Sequence, residues 1–550
     1  MTKTFECKTS IDPSVIQSAG GSSSPLVGSI DQGTSSTRFL LFTKLGQIAA
    51  SAQMEHTQIF PKGEDKVGWH EHDPFEIWRN TIQCIQEVVR AMKESEFAMD
   101  LKAIGITNQR ETTVAWNAKT GKPYYNAIVW DDLRTTDIAD AIAQGDQDRL
   151  RSKTGLPLAS YFAGTKVRWL IDNVPELRAD LLDGDRCPEV RFGTIDTWLV
   201  YQMTGTSSDS MNGGNVGGSF ITDVTNASRW LFMDLQTLQW DQDLVNQVCD
   251  PDASGITVPL SALPEIQSSS LVYGSCATGF GEVALEGVPI AGILGDQQAA
   301  LFGQGAFEPG EAKNTYGTGL FLMMNTGATP TPSTNGLLTT VAYRLENGEV
   351  AYALEGSVSH SGSTIQWLRD QLQIIDSAPE SEMYAQKVSS NDGLYFVPAF
   401  AGLFAPYWRS DARACIVGMT ATHNKNHFCR AALEAAAYQT KDVFDAIDAD
   451  SHVSLKELRV DGGGTANRLL MQFQADMINV PVIKPEVKET TALGAAFAAG
   501  LAVGVWNDKS EIKALWAEEE RFVPSMDKEL RNRNLAGWKK AITKSMGWQE

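Results

Sequence analysis

A carboxylate, a glycine, a run of hydroxyls and a guanidinium stand together at Asp31, Gln32, Gly33, Thr34, Ser35, Ser36, Thr37 and Arg38. Leu26, Val27 and Ile30 precede them, and Phe39, Leu40, Leu41 and Phe42 follow. Backbone N–H groups at a glycine turn, hydroxyl donors and an arginine can converge on anionic oxygens, and the carboxylate can hold a metal ion that partly neutralises them. Two short apolar segments around such a turn predict a hairpin built to hold phosphate, although plain strand-joining turns share the composition. A second copy favours the phosphate reading. Lys313, Asn314, Thr315, Tyr316, Gly317, Thr318 and Gly319 lead into another apolar segment, 320–324, and residues 101–107 are echoed by 455–461, each a buried strand opening into a polar or Gly-rich loop. Two half-chains on one plan predict a nucleotide held in the cleft between them.

Residues 288–295 read as a buried strand that ends at Gly295 and Asp296, with a helix opening behind it. Asp296 can cap that helix, or it can accept the proton of a substrate hydroxyl during phosphoryl transfer. Its place after a buried strand favours the second role. The strand 104–107 delivers Asn108, Gln109, Arg110, Glu111 and Thr112 to a strand's C-terminal end, where ligands sit in doubly wound sheets. Arg110 and Glu111 form a donor and an acceptor for the hydroxyls of a small polyol, or else a surface ion pair, and Trp130 offers an apolar wall to a carbon skeleton. Gly462, Gly463 and Gly464 end a further strand and let a flat or anionic ligand approach the backbone, and Gly362 opens a Gly-rich helix entry. His70 and His72, like His423 and His427, lack the third ligand or carboxylate motif of a metal site.

These loops need sheets and helices to hold them. Asp73 as N-cap, Pro74 at the first helical position and Glu76 as a capping box open a helix whose buried face carries Trp78, Ile82, Ile85, Val89 and Met92. Residues 161–173 read as a loop entering a helix, 205–219 as a solvent loop, 304–309 as the domain change, and 1–25 as a flexible tail. The apolar window 492–506 is a buried helix followed by a turn, too short to span a bilayer. A net charge of −21 over 550 residues argues against a nucleic-acid or anionic-membrane partner. The seven scattered cysteines fit a reduced, cytoplasmic protein. Neither Gly-x-x-x-x-Gly-Lys-Ser/Thr nor Gly-x-Gly-x-x-Gly occurs.

Seven stretches taken in order resemble the motifs of the FGGY family of sugar kinases: 31–34, 108–112, 161–173, 193–198, 295–300, 314–319 and 461–463. The resemblance implies an α/β fold of two actin-like (ribonuclease H-like) domains, 26–304 and 305–550, with ATP and Mg2+ in the cleft and phosphoryl transfer to a terminal hydroxyl of glycerol. It implies Asp296 as general base. Arg110, Glu111, Tyr161, Asp296 and Gln297 then hold the glycerol hydroxyls, and Trp130 and Phe321 pack on its carbons. Gly33, Thr34, Ser35, Arg38 and Thr318 face the phosphates, while Gly362, Gln366, Gly463 and Asn467 contact the nucleoside. Asp31 organises magnesium, with Asp296 as the second carboxylate. A homo-oligomer, dimer or tetramer, is implied as well. A related kinase for a pentulose or tetritol is the nearest alternative, and an actin-like ATP-binding scaffold the alternative from another class. The Arg110 and Glu111 pair with two aromatics favours a three-carbon polyol, and a scaffold should have lost Asp296. Near 274–281 the chain lacks the Gly-Gly-Thr-Arg loop that bacterial members use for a sugar bisphosphate effector.

Overall fold

The computed structural model describes residues 5–18, 24–95, 99–207, 214–250, 255–277 and 285–549. Part of the expected solvent loop, 208–213, and part of the 274–281 stretch, 278–281, lie outside the described residues. The chain folds as two compact units. The first takes in Met1–Gly305, Thr340–Ala351 and Thr490–Leu515, and the second Ala306–Thr339, Tyr352–Glu489 and Trp516–Glu550. The second domain, expected as 305–550, therefore gives two later segments to the first unit.

The first unit is built on a seven-stranded sheet. Its strands in chain order are β1 (Lys8–Ile11), β2 (Pro25–Gln32), β3 (Ser36–Thr43), β4 (Ile48–Glu55), β5 (Asp100–Asn108), β6 (Ser270–Ser275) and β7 (Pro289–Gly295), and their spatial order is β1-β4-β3-β2-β5-β7-β6. β2, β5 and β7 run parallel, and the outer pairings are antiparallel. The parallel strands are buried on both faces, which is why they read as nearly unbroken apolar runs. Residues 8–11 were expected to be part of a flexible tail. They pair with β4 from Lys8 opposite Gln53 to Ile11 opposite Ala50, and backbone pairing fixes a segment that has few apolar side chains of its own.

Helix Pro74–Glu94 lies against this sheet and buries Ile77, Trp78, Cys84, Ile85, Val88, Val89 and Met92, each large aliphatic side chain worth roughly 1.5–3 kcal/mol. Asp73 caps it by accepting from Phe75 N–H at 2.8 Å. The expected capping box is not formed, because Glu76 Oε1 accepts instead from the Thr57 N–H and hydroxyl at 3.1 and 3.0 Å. Helix Thr490–Ala502 also covers this sheet. A side chain on Gly105 or Gly292 would strike its backbone at Ala495 or Ala499, so two glycines in β5 and β7 and an Ala-rich helix surface allow the close approach.

A second seven-stranded sheet, most of it in the second unit, is made of β8 (Ala312–Tyr316), β9 (Leu320–Gly327), β10 (Leu338–Arg344), β11 (Val350–Val358), β12 (Leu458–Asp461), β13 (Val482–Pro485) and β14 (Glu518–Phe522) in the order β10-β11-β9-β8-β12-β13-β14. β8 and β9 form an antiparallel hairpin, β8 runs parallel to β12 and β12 to β13, and β14 closes the edge antiparallel. That is the plan of the first sheet, with β8, β9, β12, β13 and β14 in the places of β2, β3, β5, β7 and β6. The sequence echoes at 313–319 and 455–461 are thus echoes of topology. Among the described residues no helix is long and apolar enough to cross a membrane.

Candidate active site

Gly33, Thr34 and Ser35 form the turn between β2 and β3, closed by Gly33 N–H donating to Ser36 O at 2.9 Å. Asp31 and Arg38 are direct cross-strand partners, and Arg38 Nη2 is bonded to Asp31 Oδ2. The Thr34 hydroxyl accepts from Trp130 Nε1 at 2.9 Å, and its carbonyl accepts from Gln58 Nε2 at 3.1 Å and meets His56 Nε2 at 2.7 Å. An indole N–H can only donate, so the Thr34 proton points away from it, available to an anion.

Behind this turn lie three histidine rings, with His56 and His72 centroids 4.6 Å apart and His70 and His72 5.1 Å apart. Burial pushes His56 down and His72 down to about 2, so His72 stays neutral at physiological pH. Gln58 Oε1 can only accept, so it takes the His72 Nε2 proton at 3.2 Å and leaves Nδ1 to accept from Gln109 Nε2 at 3.4 Å. Gln109 also donates to Gln32 Oε1 at 3.0 Å and to Gly33 O at 3.2 Å. His56 and His72 act here as packing beneath the turn, and His72 ties it to the next loop.

That loop, 108–112, leaves the end of β5. Gln32, Asn108 and Gly295 are in register across β2, β5 and β7, which sets Asp31 and Asp296 at one sheet edge with two strand spacings, about 10 Å, between their strands. Asp296 opens helix Asp296–Gly303 as its first residue while Gly295 is the cap position, so the capping role is not taken. Its Oδ1 accepts from Gln297 N–H at 2.7 Å and pairs with Arg110 Nε at 3.1 Å. Arg110 Nη1 further donates to Gln298 Oε1 at 3.3 Å.

Arg110 and Glu111 do not form the surface ion pair that was the alternative reading. Both are buried, at 3% and 1% exposure, and each has a distant partner: Arg110 holds Asp296, and Glu111 Oε1 is bonded to Arg229 Nε. The Trp130 ring stands edge-on to Tyr161 with centroids 5.6 Å apart, and Tyr161 immediately precedes Phe162 and helix Ala163–Asn173. The buried ammonium of Lys166, pushed down to about 8 by burial, donates to the Ser160 and Tyr161 carbonyls at 2.8 Å each. Asp31, Gly33, Thr34, Arg38, Arg110, Glu111, Trp130, Tyr161 and Asp296 are therefore joined by contacts within one unit. Ser35 lies at the exposed tip of the same turn, and buried Gln297 follows Asp296 on the helix.

One supporting segment went unnoticed in the sequence. Residues 222–229, Thr-Asp-Val-Thr-Asn-Ala-Ser-Arg, are all buried, and three of them brace the loops above. Thr225 Oγ1 accepts from Gly295 N–H at 2.9 Å, Asn226 exchanges side-chain hydrogen bonds with Asn108 at 3.0 and 3.1 Å, and Arg229 holds Glu111. The available signal was composition: a run of small polar residues with no Gly or Pro is ill suited to a solvent loop.

In the second unit, Thr318, Gly362, Gln366, Gly463 and Asn467 line a single cavity of about 350 Å³, the size of a small-ligand site. The Gly317 and Thr318 carbonyls accept from the N–H groups of Ser361, Gly362 and Ser363 at 2.9–3.1 Å, which fastens the β8–β9 turn to the start of helix Gly362–Asp370. Gly462 has φ +87° and would strike Tyr316 O with a side chain, so it must be glycine, whereas a Cβ on Gly463 would meet no protein atom within 4 Å. Asn467 also has a structural role, since its carbonyl oxygen caps the next helix by accepting from Leu470 N–H at 2.9 Å. Apolar walls from Ile365, Leu433 and Leu470 suit a flat base. Phe321 is not among the cavity residues; it sits half-buried on β9 opposite Thr315 and Ser357.

Residues 26–303 match the N-terminal domain of the FGGY family of carbohydrate kinases, and residues 312–503 match its C-terminal domain. The chain is 55% identical over 526 residues to the glycerol kinase of Renibacterium salmoninarum, covering 96% of this chain and 99% of that protein. It is 52% identical over 523 residues to the glycerol kinase of Roseiflexus sp., covering 95% and 99%. The crystal structure of Plasmodium falciparum glycerol kinase with ADP matches at a TM-score of 0.85 and 38% identity, over 95% of this chain and 98% of that one. A xylulose kinase from Lactobacillus acidophilus, at a TM-score of 0.80 and 21% identity over 95% and 99% of the two chains, shares the fold.

Proposed function

The chain belongs to the FGGY family of carbohydrate kinases, and from that premise we propose that it transfers the γ-phosphoryl group of ATP to a terminal hydroxyl of glycerol, giving sn-glycerol 3-phosphate and ADP. The observation that carries the assignment of the site is the Arg110 Nε to Asp296 Oδ1 contact of 3.1 Å at the sheet edge that also carries the Asp31 hairpin. Phosphoryl transfer asks for in-line positioning and neutralised charge more than for covalent chemistry.

Asp296 accepts the proton of the attacking hydroxyl, aimed by Arg110. Arg110 and Gln297 donate to the acceptor hydroxyls, Glu111 accepts from them, and Tyr161 can do either. Trp130 and Phe321 pack against the carbons. The Gly33, Thr34 and Ser35 turn with Arg38, and Thr318 from the second hairpin, bind the phosphates. Gly362, Gln366, Gly463 and Asn467 bind the nucleoside.

Magnesium usually keeps several waters and takes one or two carboxylates plus phosphate oxygens. Asp31 and Asp296, two carboxylates at one edge, fit that donor set, and the ion would neutralise charge on the β- and γ-phosphates. We also infer a cytoplasmic homo-oligomer, dimer or tetramer.

An acceptor panel tests the reading. With Mg-ATP and ADP release followed in a coupled assay, kcat/KM for glycerol is expected to exceed that for a tetritol or a pentulose by about tenfold or more. Faster turnover of a pentulose would overturn it.

A further inference from the structure

Glu111 has left-handed backbone, φ 59°, and its carboxylate is buried. A carboxylate in that position depends on what faces it, because a buried charge without a partner is strongly destabilising. Arg229 faces it, itself fully buried, with Nε bonded to Glu111 Oε1. The same guanidinium lies 5.6 Å from the Tyr161 ring centroid and 5.4 Å from that of Phe162. The Arg229 carbonyl accepts from Ala163 N–H at 3.2 Å, where the helix behind Tyr161 begins.

The mount is rigid. Asp223 accepts from Thr225 and Asn226 N–H at 3.0 Å each, which closes the turn leading to Arg229. A side chain on Gly164 would collide with Trp230 O, so helix and segment approach as closely as backbone allows. Arg229 thus reaches two residues assigned to the acceptor from one fixed point.

We propose that Arg229 is a positioning residue for the acceptor: it aims the Glu111 carboxylate and the Tyr161 ring at one ligand, and so sets acceptor affinity independently of the nucleotide. This rests on the assignment of Glu111 and Tyr161 to the acceptor. A guanidinium can hold a carboxylate and stack on rings at once, whereas an ammonium supplies only the charge.

The experiment compares Arg229→Gln, Arg229→Lys and Glu111→Gln in the full chain, measuring kcat, KM for glycerol, KM for ATP and the melting temperature. Arg229→Gln is expected to raise the glycerol KM by about ten- to a hundredfold, with kcat within about threefold and the ATP KM unchanged. Arg229→Lys is expected to recover part of that loss, a pattern that general destabilisation would not give. An unchanged glycerol KM in a folded Arg229→Gln protein overturns the proposal. If Arg229→Gln does not fold, Arg229→Lys decides: a raised glycerol KM at constant ATP KM supports the role, and an unchanged one overturns it. Glu111→Gln separates the two failures. If it leaves the glycerol KM unchanged, the acceptor assignment is wrong; if it raises that KM while the Arg229 variants do not, only the role of Arg229 is wrong.

Discussion

Gly463 has open space where a side chain would stand and no left-handed φ, so the fold does not require glycine there. Its neighbours differ: Gly462 needs its φ of +87°, and a Cβ on Gly362 would come 2.5 Å from Gly317 O. On the proposed assignment, a side chain at Gly463 would meet the bound nucleotide. Gly463→Ala is therefore expected to fold with a melting temperature near that of the parent, since a change of this kind alters stability by only about 0.5 kcal/mol. It is expected to raise the ATP KM by about tenfold, equivalent to about 1.4 kcal/mol, with the glycerol KM unchanged. Steady-state kinetics against each substrate checks it, and an unchanged ATP KM would remove Gly463 from the nucleotide site. At this scale the sequence showed residues whose chemistry is local, such as the hydroxyls and glycine at 33–35 and the Asp296 loop. It did not show partners: that Arg110 and Glu111 part company, or that Arg229 lies behind Glu111, depends on contacts between residues far apart along the chain, 118 positions for Glu111 and Arg229 and 188 for Arg110 and Gln298.

Helix Thr490–Ala502 shows the same limit among elements. Its composition announced burial, because a helix apolar on every face must be enclosed. Nothing in such a helix distinguishes one sheet from another, and it packs on β5 and β7 of the first unit, far from it in sequence. Alanine side chains bury little area, so the interface depends on close approach. Gly105→Ala would place a methyl against the Ala495 carbonyl, a backbone group that no rotamer change can move aside. The expected loss is about 3 kcal/mol or more, seen as a lower urea midpoint or melting temperature, and an unchanged midpoint would contradict this packing. Caps were partly legible. Asp73 and Pro74 start their helix as expected, while Glu76 is drawn away to Thr57 by tertiary contact. Helix Lys425–Ser451 starts with a capping box in which His427 Nδ1 accepts from Asn424 N–H at 3.3 Å.

Over the whole molecule, repetition was the clearest signal. Two hairpins carrying Gly-Thr turns and two buried strands opening into polar loops were visible because turn chemistry and strand patterning are short-range. Both sheets follow the plan they implied. Discontinuity was not visible, since a chain that leaves a unit and returns to it carries no local mark of doing so. A net charge of −21 gives an anionic nucleotide no general attraction, so on the proposed reading local donors must supply it. The measurement that bears most directly on all of this is Asp296→Asn, with glycerol and ATP binding followed by calorimetry and turnover by a coupled assay. Binding of both ligands within about threefold of the parent, with turnover reduced by about 10²- to 10⁴-fold, is expected of a positioned general base. Near-normal turnover would contradict the role of Asp296, and with it the reading of this sheet edge as the place of phosphoryl transfer.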